Sequence, residues 1–209
     1  MAERKEDIRI VKTRKALTDA FFDMLTEMPL DEVTVNDLCE RADVRRATFY
    51  KHFKDKMDFI TYLIKDIRAR FDREVWQADL KTTITKEYYI QYAEAIITYL
   101  LERDAAIKNI IDSPVRSAFF DLFLHENYED TVRRLEASEE CGVSLIAPPK
   151  IMASMIVAGI AHPIIKWFDS DERCSVDDLL KYIYRFIEKM FDEEYFVNNS
   201  YKKTDKAAT

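Results

Sequence analysis

Glycine is almost missing from this chain: Gly142 and Gly159 are the only two in 209 residues. No glycine-rich loop that cradles phosphate and no dinucleotide-binding turn can be built from them, which excludes P-loop and dinucleotide-dependent enzymes. Histidine is nearly as sparse, with three residues. No H-E-x-x-H helix, Ser, His and acid trio or paired metal spacing is visible, so no catalytic residue, metal ligand or cofactor is expected. Cys39, Cys141 and Cys174 are an odd set without C-x-x-C spacing. That fits a reducing cytosol and argues against both a disulfide framework and a zinc site. Glu139 and Glu140 adjoin Cys141, and acids raise a thiol pKa, so a reactive sensor thiol is not indicated. Long apolar runs are lacking as well. The most apolar stretch, Ile151 to Ile165, is short for a membrane span and is interrupted by His162 and Pro163. The N-terminus, M-A-E-R-K-E-D-I-R, is charged and has no hydrophobic run behind it, so neither a signal peptide nor a membrane partner is expected, and the location is cytoplasmic.

What remains is a chain that is 48% hydrophobic and 12% aromatic, and its apolar residues repeat at three and four positions almost throughout. The fold class is therefore all-α. A first helix over 8–27 buries Leu17, Ala20, Phe21, Met24, Leu25 and Met28 before Pro29 stops it. A long helix is expected over 55–78, about 35 Å in length. Further helices are expected over 86–102, 105–111, 115–139 with room for a break, 149–168 and 176–196. The segment 198–209 is polar and expected to be a disordered tail.

Between the first helix and the long one, residues Thr34 to Lys56 read T-V-N-D-L-C-E-R-A-D-V-R-R-A-T-F-Y-K-H-F-K-D-K. Thr34 followed by Asp37 has capping-box spacing, and Val35, Leu38, Cys39 and Ala42 then fall on one stripe. Asp43 breaks this helix. A second starts near Arg45 and buries Phe49 and Phe53, which leaves Arg45, Arg46, Thr48, Lys51 and His52 pointing outward. Two short helices so arranged are a helix-turn-helix, whose second helix enters the major groove of DNA. The net charge of -7 conceals the distribution. Residues 1–56 hold twelve Lys/Arg and twelve Asp/Glu, so the whole excess of acid lies beyond them. Arg45, Arg46, Lys51, Lys54 and Lys56 face only Asp55 within 45–56, and Arg9, Lys12, Arg14 and Lys15 form a second cluster. The result is a cationic footprint on an acidic body.

The string A-D-V-R-R-A-T-F-Y-K-H-F-K-D-K, followed by a long amphipathic helix, resembles the TetR family of bacterial transcriptional regulators. Ala42, Val44, Thr48, Phe49, Tyr50, His52, Phe53 and Lys56 match the family pattern. Asp43 stands where the family has Gly, and Arg45 where it has Ser or another small cap. Asp tolerates the left-handed conformation, so the turn survives with some strain, and the second helix is expected to start later or to be capped by Asp43. The resemblance implies a DNA-binding domain over 1–54 and an effector-binding and dimerisation domain over 55–197. It implies that Thr34, Tyr50, His52 and Lys56 hold phosphates of a double-stranded operator. Arg45, Arg46, Thr48 and Lys51 then face base edges, with Ala47 on the same face.

It places an effector among the large side chains of the middle region, which include Trp76, Tyr88, Tyr89, Phe119 and Phe120. Tyr92, Tyr99, Phe123, Met152 and Met155 are the candidate contacts, with His125 and His162 as polar additions, although an aromatic stripe at this spacing serves equally as core. The last two long helices carry broad apolar faces, and a homodimer interface is expected at Ala158, Gly159, His162, Ile183 and Ile187. The expected function is a dimeric regulator, by default a repressor released by its effector. Control by a protein partner remains an alternative, and an all-α enzyme or carrier a remote one.

Overall fold

The computed structural model describes residues 8–75, 86–143 and 145–191. Trp76, the expected end of the last helix at 196 and the polar tail lie outside them. Among the described residues the chain is all-α, with nine helices: α1 Ile8–Glu27, α2 Val35–Arg41, α3 Arg46–His52, α4 Lys56–Val75, α5 Lys86–Leu101, α6 Asp104–Ile111, α7 Arg116–Glu140, α8 Pro149–Phe168 and α9 Val176–Met190. Helix α7 runs without the break that was allowed for. Two compact units result, Met1–Ile67 with Leu100–Leu122, and Arg68–Tyr99 with Phe123–Thr209.

In the first unit, Leu17, Ala20, Phe21, Met24 and Leu25 of α1 are buried at the predicted spacing, while Met28 sits at the edge, half-exposed. Helix α6, whose Ala106, Ile107, Ile110 and Ile111 are buried, lies against α1. Phe49 and Phe53 of the helix-turn-helix region join Phe21 of α1 and Phe59 of α4 in an aromatic cluster. Phe53 and Phe59 meet edge-on at 5.1 Å between ring centroids, and Phe21 and Phe59 at 5.5 Å. Such contacts add about 0.5–1.5 kcal/mol per pair beyond the area they bury.

In the second unit, α8 buries Met152, Ala153, Ile156, Val157, Ile160, Ile164 and Phe168, a stripe repeating at three and four residues. The helix is 20 residues long and continues through Pro163, so by length and composition it is apolar enough to cross a membrane, contrary to the reading of 151–165 as too short. Its packed stripe is that of a core helix. Ser175 caps α9 by accepting from the Asp178 amide at 3.1 Å, and Leu179, Ile183 and Ile187 of α9 turn inward. Helices α8 and α9 approach closely because Gly159 has no side chain. The Phe186 ring lies only 2.2 Å from where a Cβ would stand.

Candidate nucleic-acid interface

Both ends of α2 are set by local interactions. The Thr34 hydroxyl accepts from the Asp37 amide at 3.2 Å and donates to the Asp37 carboxylate at 2.6 Å, which satisfies an otherwise orphaned donor at the start of α2. At its other end the Val44 amide donates to Cys39 O at 2.9 Å and the Asp43 amide to Glu40 O at 3.2 Å. This paired closure requires a left-handed residue between helix and exit, and Asp43 supplies it at φ 52°. The expectation that Asp43 caps the next helix is corrected. Its backbone closes α2, and α3 starts at Arg46 after an extended Arg45 with no side-chain cap.

Burying Phe49 and Phe53 fixes which side of α3 faces out. Arg45, Arg46, Ala47, Tyr50 and Lys51 are exposed, with Thr48 and His52 half-exposed beside them. The arrangement is a rigid, cationic, hydrogen-bonding ridge the width of one helix, which suits a major groove. Thr34 lies exposed at the start of α2. The Arg41 guanidinium grips the Glu27 carboxylate through two bonds of 2.6 and 2.7 Å, fastening α2 to the end of α1.

Lys56 has a different setting from the rest. Its ammonium donates to Leu30 O at 3.0 Å and to Val33 O at 2.8 Å, and burial lowers its pKa. Of its three donors, two hold backbone carbonyls of the α1–α2 connection. In the second basic cluster Lys15 pairs with Asp19 at 2.5 Å, and the Arg14 guanidinium lies over the Tyr62 ring at 4.8 Å. Cys39 is buried, which raises its thiol pKa, whereas Cys141 and Cys174 are exposed.

The candidate effector residues fall in three settings. Tyr92 is buried and donates to Asn127 Oδ1 at 2.9 Å. Tyr99 and Phe123 are half-buried, Tyr99 edge-on to Phe71 at 5.5 Å. Met152 is fully buried, but Met155 is 49% exposed on the flank of the α8 stripe, which corrects the expectation that both methionines face the aromatic region. Around Tyr92 the sequence reading missed a buried polar network. Arg68 bonds Asn127 at 2.5 Å and pairs with Asp130 at 2.7 Å; Arg134 pairs with Asp130 at 2.6 Å and with Asp72 at 2.5 Å; Tyr88 donates to Asp72 at 2.9 Å. Its local traces in the sequence are the i, i+4 spacings of Arg68 with Asp72 and of Asp130 with Arg134.

Ala158 and His162 are exposed on α8 and line an open groove of 560 Å³ with Leu124, His125, Tyr128, Ser154 and Val157. Gly159 sits beneath Phe186 of the same chain, and Ile183 and Ile187, at 2% and 0% exposure, belong to the chain's own core. The large apolar side chains that α8 and α9 leave exposed are instead Ile151, Met155, Tyr182 and Phe186.

Comparison with known proteins places one family profile on this head. Residues 17–63 match the profile of the bacterial regulatory proteins of the tetR family. The HTH-type transcriptional regulator YxbF of Bacillus subtilis (strain 168) is 38% identical over 64 residues, 30% of this chain and 17% of that protein. The HTH-type dhaKLM operon transcriptional activator DhaS of Lactococcus lactis subsp. lactis (strain IL1403) is 26% identical over 73 residues, 32% of this chain and 39% of that protein. The chain thus spans less than half the length of these curated relatives. A TetR-family transcriptional regulator structure from Syntrophomonas wolfei str. Goettingen shares the fold at a TM-score of 0.63, with 17% identity over 86% of this chain and 94% of that one.

Proposed function

We propose, for a chain that belongs to the tetR family of bacterial regulatory proteins, that it binds a double-stranded operator as a homodimer and that α3 is the helix that reads base edges. The observation that carries this reading is the exposed face of Arg45, Arg46, Lys51 and Tyr50 on a helix fixed from behind by Phe49 and Phe53. Arg46 is assigned to a bidentate guanine contact and Thr34, Tyr50 and His52 to phosphates. A homodimer presents two such helices to successive major grooves, about 34–36 Å apart or a multiple of that. An effector bound by the second unit regulates the protein if it prefers a spacing of the two heads that DNA does not, because its differential affinity is then lost from operator binding. Such a protein acts in the cytoplasm. Repression is the default mode. DhaS, similar over 73 residues and in fold, is described as an activator, so membership of the family does not set the sign of regulation.

Selection of bound sequences from a random duplex pool tests the reading. Enrichment of an inverted repeat with half-sites one helical turn or a multiple apart is expected; a pool that stays random contradicts it. Control by a small molecule is read from melting with candidate metabolites, since a ligand at a hundredfold its dissociation constant stabilises by about 2.7 kcal/mol. A flat response across metabolites shifts the assignment to a protein partner.

A further inference from the structure

The connection between α1 and α2 is held from two sides within the first unit. Lys56, the first residue of α4, donates to Leu30 O and Val33 O. On the other side, just past the end of α6, the buried Ser113 donates its hydroxyl to Asp31 Oδ1 at 2.7 Å. One turn earlier, Asn109 of α6 donates its amide to Leu25 O of α1 at 2.8 Å. Ahead of α6, the Arg103 guanidinium lies 5.4 Å from the Phe22 ring centroid. The charge of Asp31 also favours the Lys56 ammonium, which ties the two grips together. Residue 34, where α2 is capped, directly follows the clamped carbonyl of Val33, so the placement of 30–33 sets where α2 begins. Through the tight turn at Asp43, it also sets where α3 points.

Resting on the reading that the head binds DNA, we propose that Asp31, Ser113 and Lys56 are positioning residues for operator recognition: they hold the α1–α2 connection between α4 and α6, so that α6 sets how the recognition helix is presented. None of them needs to touch a base. A head released from this clamp samples orientations that do not fit the groove, and its apparent affinity falls by the fraction of time spent in them. The salt dependence does not change, because it counts neutralised phosphates and none has been removed.

The test measures binding of the full-length protein to a duplex obtained by selection, across salt concentrations. Ser113→Ala and Asp31→Ala should each weaken binding by roughly five- to tenfold, with the wild-type salt slope. The double variant should be no worse than Asp31→Ala alone, because that change already removes the bond to Ser113. Asp31→Asn keeps an acceptor for the Ser113 hydroxyl and should restore most of the affinity. Without DNA, amide exchange in α2 and α3 should quicken in Ser113→Ala. Additive losses, a flattened slope, or a lowered melting temperature with unchanged affinity and unchanged exchange would overturn the proposal. A wild-type chain that selects no duplex would instead sink the DNA reading beneath it.

Discussion

At the scale of single residues, the turn at Asp43 and the uncapped start of α3 each carry a cost. Asp43 adopts φ 52°, which a small polar side chain tolerates and a β-branched one does not. Asp43→Val should lose about 1–2 kcal/mol of stability in urea unfolding, whereas Asp43→Gly should lose none; equal losses would mean that the turn can relax out of the left-handed region. Arg45 stands in the extended conformation of a helix cap without supplying one. Arg45→Ser should therefore stabilise the head by about 0.5–2 kcal/mol while weakening operator binding. A stabilised variant with undiminished affinity would take Arg45 out of the interface. The Thr34 cap and the strain at Asp43 were both legible in the sequence, because each is decided within four residues. The bonds of Lys56 were not, because its acceptors lie 26 and 23 residues away and a lysine at the start of an amphipathic helix looks the same whether it binds phosphate or carbonyl.

Among the helices, periodicity located nearly every element, and α1 and α8 begin and end where the pattern places them. It did not show which faces meet. The small residues of α8 were read as a crossing point between two subunits, yet the space at Gly159 is filled by Phe186 from the neighbouring helix of the same chain. A helix-surface pattern specifies that something packs closely, not which chain it comes from. The contact predicts a reversal of sign. Gly159→Ala must displace the Phe186 ring, and overpacking of this kind costs about 1–3 kcal/mol. In a Phe186→Ala background the same change should stabilise by roughly 0.5–1 kcal/mol, since alanine is the better helix former. A destabilisation of the same size in both backgrounds, measured by chemical unfolding, would show that the close approach does not matter. The packing of α6 against α1 was equally invisible, because its polar anchors, Asn109 and Ser113, reach partners more than 80 residues away.

For the whole molecule, charge is the property the sequence conveyed best and located least completely. It separated a cationic footprint on the head from an acidic body, but not the partly buried quartet of Arg68, Asp72, Asp130 and Arg134, two residues on α4 and two on α7 whose sequence pattern reads as solvated surface. Burial alone would raise the Asp130 carboxyl, but the Arg68 and Arg134 guanidinium groups outweigh it and hold the pKa below the ordinary carboxylate value. A carboxylate depressed in the folded state contributes stability that is present above its unfolded pKa, about 4, and lost as pH falls through the folded value. Stability should thus drop in that acid range, and Asp130→Asn should flatten this part of the profile; an unchanged profile would mean that the quartet does not govern acid unfolding. The function assigned to the molecule rests on the head. Its most direct test is the affinity of wild type and Arg46→Ala for the selected duplex and for a scrambled one, titrated between 50 and 200 mM salt. The account predicts a slope of log affinity against log salt of roughly -4 to -7 for the wild type, and a loss of about 1–3 kcal/mol for Arg46→Ala on the selected duplex alone. An affinity indifferent to salt, or an equal loss on both duplexes, would contradict it.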